Sequence, residues 1–226
     1  MKMIKQTIPS LTLALSFALS APAQAVDFTL FGSAGYSGSS EAGTNDGFAL
    51  GPLDFYATTQ LDDKTRGFVE YVFENGGDGL VTDLERVWVA RELNDSMTLG
   101  IGRFHSPLGS WNRTYHHGAY MQNTISRPFF LDFEDGAAGV LPVHVVGLMS
   151  WGEIPVSWGS ISYEAFISNG PSIDSDGGLS VTPDNKPEIG IGDAGDSNSN
   201  KAIGGESLWL MKMPQWKVVS SFIQVK

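Results

Sequence analysis

Hydrophobic and polar residues alternate with a period of two in one segment of this chain after another. In "VDFTLFGSAGYSG", Phe28, Leu30, Ala34 and Tyr36 fall on one side, and Asp27, Thr29, Ser33 and Ser37 on the other. Successive side chains of an extended backbone point to opposite faces, so the pattern predicts a half-buried β-strand. "LDFYATTQL" repeats it, setting Leu53, Phe55, Ala57 and Leu61 against Asp54, Thr58 and Gln60. After the turn "DDKTRG", the segment "FVEYVFE" places Val69, Tyr71 and Phe73 opposite Glu70 and Glu74. "LERVWVARE", "MTLGIGRF", "VHVVGLMSW", "WGSISYEAFIS", "IGGESLWLMK" and "WKVVSSFIQV" follow in the same style, which makes nine strands.

Their connections are unequal. Short ones, "LDDKTRG" and "ELNDS", alternate with long ones at 38–47, 104–142 and 169–201. A transmembrane β-barrel has this asymmetry, with tight turns at one rim, long loops at the other, an apolar outer face and a polar lumen. A soluble sandwich does not require it. Phe73, Trp88, Trp151, Trp158, Tyr163, Trp209 and Trp216 are placed to form aromatic belts at the membrane interfaces, or else to fill a sandwich core. After residue 25 no apolar run reaches the roughly 20 residues of a membrane-spanning helix, so any crossing falls to strands.

Composition sharpens this. Twenty-seven glycines with six tryptophans and six tyrosines suit many short strands joined by turns. The first residues, with Lys2 and Lys5, an apolar run over Ile8–Ala18 and then "APAQA", predict a secretory leader over residues 1–25. The remaining residues, 26–226, are expected to form a single exported domain. Cysteine is absent, which excludes a disulfide-stapled miniprotein and leaves sheet closure or a large core to supply stability. The formal charge of −11 becomes −13 once Lys2 and Lys5 are removed with the leader. So acidic a chain argues against a nucleic-acid partner and weighs against a dedicated phosphate channel.

"FTLFGSAGYSG", the meander "LDFYATTQLDDKTRGFVEYVFE" and "LERVWVARELNDSMTLGIGRFHSPLGSWN" together resemble bacterial outer-membrane porin-type barrels. The nearest likeness is to the porin-like group that includes phosphate-selective porins. There a strand ending "GRF" runs into "PLG" and a long loop follows; "RFHSPLGSWNRTYHHGAYMQNTISRP", Arg103 to Pro128, is the most specific match. The resemblance implies an all-β antiparallel meander of a transmembrane β-barrel, outer-membrane lipid as a partner, and trimers as the common oligomer. Barrels of that group commonly have about 16 strands, and bacterial single-chain barrels have even numbers. Nine segments, the last ending on Lys226 rather than an aromatic residue, therefore lead to the expectation of an incomplete barrel.

The long stretch after Arg103 holds three of the four histidines, together with Arg113 and Arg127 and the acids Asp132, Glu134 and Asp135. One expectation is a surface loop shaped by its prolines and packed by its aromatics. Another has the loop bend into the lumen, with Arg103, Arg113 and Arg127 facing Asp132, Glu134 and Asp135 across a constriction, where charge selects ions by sign. Glu70, Glu74, Arg103 and Glu164 are the candidate wall charges, and Arg113, Arg127, Asp132 and Glu134 the candidate loop charges. The excess of acids predicts a mild cation preference.

Other chemistries fit less well. His105, His116, His117 and His144 could ligate a metal, but neighbouring histidines point apart on a strand, no helix presents an i, i+4 pair, and the spacing predicts no site. Adjacent His105 and Ser106 do not make a nucleophile–base pair, and no G-x-S-x-G occurs, so no enzyme is expected. "GIGDAG" at 190–195 matches the dinucleotide fingerprint by letter only, lacking a preceding strand and a following helix. Asp174, Asp176, Asp193 and Asp196 lie in a Gly/Pro/Ser/Asn-rich stretch without the glutamate of a calcium loop and read as a solvated loop. The expectation is thus an outer-membrane channel for passive diffusion of small hydrophilic solutes or ions, without cofactor or metal. Its alternatives are a soluble exported β-sandwich that binds a ligand and a non-conducting barrel scaffold.

Overall fold

A computed structural model describes residues 25–38, 47–75, 79–116, 128, 141–170, 172–174, 188–190, 199–211 and 217–225. The leader expected over residues 1–25 lies outside these, apart from Ala25. Nine strands form one antiparallel sheet: β1 (Val26–Ser37), β2 (Gly47–Asp62), β3 (Thr65–Asn75), β4 (Leu80–Asn94), β5 (Met97–His105), β6 (His144–Val156), β7 (Gly159–Asn169), β10 (Lys201–Met211) and β11 (Lys217–Val225). Each pairs with its neighbour in the chain, except that β7 and β10 meet across a two-stranded hairpin, β8 (Ser172–Asp174) with β9 (Glu188–Gly190). A six-residue helix, α1 (Ser110–Tyr115), lies in the connection between β5 and β6. All nine segments with period-two alternation are strands of this sheet. Among the described residues nothing pairs β1 with β11, so the sheet is an open meander.

The alternation read from the sequence becomes two faces. Cross-strand partners share a face, and the row Val89, Ile101, Leu148, Ile167 and Ile203 runs across five strands on the outward one. Its members from Ile101 onward are exposed, Ile101 by 61%. On the inward face the row Ala90, Gly100, Met149, Phe166, Gly204 and Ile223 mixes small residues with large ones. Small residues are needed there: a Cβ on Gly204 would lie 2.6 Å from the Phe166 ring, and one on Gly100 2.9 Å from Trp151.

The buried core sits on this inward face. Phe104, Val145, Met149, Phe166 and Ala202 supply its wall, and Leu108 from the β5–β6 connection packs onto them. Burying a leucine side chain stabilises by about 1.5–3 kcal/mol, so Leu108 helps hold the connection against the sheet. Trp88 and Trp151 join this cluster, their ring centroids 5.8 Å apart, with Phe104 6.2 and 6.1 Å from them. They are core residues, which corrects their expected place in an interfacial belt. Inward strand parity is the reason, since Trp88 pairs with Gly102 and Trp151 with Glu164. Trp158 and Trp209 stack at 5.9 Å beside the tight β6–β7 turn, and Tyr163 donates its hydroxyl to the Ser96 carbonyl at the β4–β5 turn. These three occupy the short-turn rim; Trp216 lies outside the described residues.

The β2–β3 turn is fixed locally. Asp62 accepts the Lys64 backbone N–H at 2.8 Å and the Thr65 hydroxyl at 2.8 Å, and receives Arg91 from β4 at 2.9 Å. These contacts, the Lys64 amide foremost, lower the exposed Asp62 carboxyl to a pKa of about 2. The charged tip, Asp62-Asp63-Lys64, belongs to the rim beyond the apolar part of the strands.

Candidate functional site

Helix α1 docks on the inward face, and the charges that meet there come from wall and connection together. Arg113 reaches from α1 to Glu206 of β10 at 2.7 Å and to Glu164 of β7. The Gly109 backbone N–H donates to the second Glu206 oxygen at 3.0 Å, and the Ser221 hydroxyl donates to it at 2.8 Å. Glu206 is thereby buried with both its oxygens hydrogen-bonded, as a buried carboxylate requires. These contacts hold the first part of the connection, Gly109 and helix α1, against the sheet's inner side. Among the described residues the partners of Arg113 are wall acids. Arg127, Asp132, Glu134 and Asp135 lie outside the described residues.

A second charge pair lies beside the first. Glu70 of β3 is buried and accepts from Arg86 of β4, whose guanidinium also lies 4.7 Å from the Phe68 ring centroid. A cavity of about 300 Å³ opens between the two pairs, lined in part by Arg66, Arg86, Arg113, Glu164, Trp88 and Trp151. Glu70 and Glu164 both lie on the inward face. Glu74 shares the parity of Glu70 four residues along and is exposed. Arg103 pairs with outward-facing Val87, and its Nε donates to the Glu85 backbone carbonyl at 3.0 Å.

At the neck of the β5–β6 connection three histidines and one glutamate converge. His105 and His144 are direct cross-strand partners, the last rung of β5 and the first of β6. The alternation that leaves Leu99 and Ile101 exposed breaks at Gly102 (φ 147°), and Phe104 and His105 beyond it are both buried. Gly102 has no room for a side chain, because a Cβ would lie 2.1 Å from the Val87 carbonyl. His116 caps the C-terminus of α1, four residues after Asn112, so both project from one side of that turn. Glu85 is the extra residue of a β-bulge: Arg86 pairs with Glu70 and Leu84 with Tyr71, and Glu85 has no rung of its own. Bulges re-aim side chains, and this one turns the Glu85 carboxylate toward the histidines.

Glu85 Oε2 lies 2.6 Å from His144 Nε2, 3.3 Å from His116 Nε2 and 3.8 Å from His105 Nε2. All four side chains are buried, and their donor atoms lie within 4.8 Å of one another. The spacing argument against a metal site does not hold for these residues, because hairpin pairing, a helical turn and a bulge bring distant positions together. His117 lies outside the described residues. Glu85 carries no sequence signal, since its parity along "LERVWVARE" shows neither the bulge nor the direction of its side chain.

No protein-family model matches the chain, and no curated protein matches it.

Proposed function

We propose that this chain forms wall and inward loop of an outer-membrane porin-like channel for passive diffusion of small hydrophilic solutes or ions. The reading rests on one observation above others: the two faces of the sheet differ in kind. Exposed aliphatic residues run along the outward face, while buried ion pairs and a docked connection occupy the inward one. Lipid requires the first and an aqueous passage uses the second. The main strands have 9 to 16 residues, enough for the about 9–11 of a tilted transmembrane strand.

In this reading the exported chain resides in the bacterial outer membrane. Edges β1 and β11 pair with further strands or a second copy, since unpaired backbone in hydrocarbon costs several kcal/mol per group; a homotrimer is the arrangement the family resemblance favours. Transport needs no cofactor and breaks no bond. Asp54, Glu70, Glu164 and Glu206 lie with Arg66, Arg86 and Arg113 along the inward face, and the chain's overall acid excess sets a mild cation preference.

Conductance of residues 26–226 in planar bilayers tests this. Discrete steps with a cation-biased reversal potential are expected, and Arg113→Ala should give larger, more cation-selective steps by freeing Glu164 and Glu206. Failure to insert, or an Arg113→Ala pore indistinguishable from the parent, overturns the reading.

A further inference from the structure

We infer that Glu85, His105, His116 and His144 bind one divalent transition-metal ion, zinc foremost, which fastens the β5–β6 connection to the sheet. Imidazole nitrogens and a carboxylate oxygen are the donors that zinc and its neighbours take from proteins. Zinc bonds of about 2.0–2.1 Å in a tetrahedron put ligand atoms about 3.4 Å apart. The three distances from Glu85 Oε2, at 2.6, 3.3 and 3.8 Å, fall on both sides of that value. The donor atoms all lie within 4.8 Å of one another, so metal binding would draw the widest pair together by about 1.4 Å.

The surroundings orient the donors as a metal site requires. Asn112 donates both Nδ2 hydrogens, to the Ser106 carbonyl at 3.0 Å and the Val143 carbonyl at 2.8 Å. Its Oδ1 is therefore the atom that meets His116 Nδ1, at 3.0 Å, and accepts from it. A hydrogen on Nδ1 makes Nε2 the lone-pair nitrogen of a neutral ring, and that nitrogen faces the Glu85 carboxylate at 3.3 Å. That contact needs a cation between nitrogen and oxygen, either a second ring proton or a metal ion. A buried pocket with two further imidazoles turned to the same oxygen suits a shared metal ion better than a single proton. Fixing a ligating histidine through its other nitrogen is the usual outer-shell device, and Asn112 supplies it.

The site's position assigns its role. Its four donors come from the bulge in β4, the end of β5, the start of β6 and the end of α1. Four buried protein donors leave no open coordination position, the mark of a structural site rather than one that activates water. The ion would tie wall to connection at the connection's neck. This inference depends on side-chain geometry alone and holds whether or not the sheet conducts.

The test uses the folded chain, residues 26–226 in detergent, stripped with a chelator and titrated with Co2+ and then Zn2+. The expected result is one Co2+ per chain with the intense visible absorption of a tetrahedral ion, displaced by Zn2+. Glu85→Gln and His144→Gln should abolish it, and Asn112→Leu, by removing the group that orients His116, should weaken binding about 10- to 100-fold. A folded parent chain that binds neither metal, a weak octahedral spectrum, or a Glu85→Gln chain that binds as tightly as the parent overturns the inference. Metal uptake by a non-conducting chain would sink the channel and leave the site standing; conduction by a chain that takes up no metal would do the reverse.

Discussion

Replacing Ile101 with arginine separates a lipid-facing sheet from a water-facing one. Ile101 is the fifth of the nine residues of β5, 61% exposed, between Val89 and Leu148 on the outward face. Its side chain makes little contact inside the protein, so the cost of Ile101→Arg is set by the medium it meets. At the midplane of a bilayer an outward arginine on a barrel costs about 2–4 kcal/mol. In water the same exposed substitution stays within about 0.5 kcal/mol. At about 1.4 kcal/mol per decade, the lipid case shifts the folding equilibrium by roughly 30-fold or more. Reversible urea unfolding in phospholipid vesicles, followed by tryptophan fluorescence, measures the difference between parent and variant. A change under about 0.5 kcal/mol would refute the assignment of this face to lipid.

Two further outcomes follow from local geometry. Gly204→Ala puts a Cβ 2.6 Å from the Phe166 ring and 2.9 Å from the Phe222 carbonyl; a loss of about 1–3 kcal/mol is expected in the same unfolding assay, and a neutral result would mean that the inward row has slack. Asp62 has a folded-state pKa of about 2, below its ordinary 3.8. A depressed carboxyl stabilises the fold above its unfolded pKa and loses that contribution as pH falls through the folded value. Asp62→Asn should therefore be less stable than the parent at pH 6, with the gap narrowing from about pH 4 and closing near pH 2; a gap that does not vary with pH would exclude the carboxylate as its source.

The sheet was legible in the sequence because period-two alternation and unequal connections are written locally, residue by residue. Leu53, Phe55 and Ala57 against Asp54 and Thr58 already name the two faces of β2. What was not legible depends on contacts between distant positions. Trp88 and Trp151 look alike to Trp158 and Trp209 in sequence, and only register sends the first two inward. Glu206 escaped notice as the partner of Arg113, 93 residues away, because no local pattern links a loop cation to one strand acid among several. Glu85 was hidden by a one-residue bulge, which reverses parity without any glycine or proline to announce it. The histidines were visible as a group, but adjacency in the chain is a poor guide to adjacency in a hairpin.

The neck of the β5–β6 connection carries a consequence for how the chain folds. Most strand pairs are closed by short turns, whereas β5 and β6 must meet across residues 106–143. Closing a loop of that length rather than a two-residue turn costs about 2–3 kcal/mol of chain entropy. The Ser106 N–H bond to the Val143 carbonyl, with Asn112 bridging the carbonyls of both residues, repays that cost at a single point. The pairs β2–β5, β6–β7 and β10–β11 can then form by local zippering, leaving this seam, like the β7–β10 pair across residues 170–200, to join later. Once the seam is shut, doubling the length of chain beyond it costs only about 0.6 kcal/mol. The connection can therefore change in length over evolution while the sheet on either side of Ser106 and Val143 keeps its register.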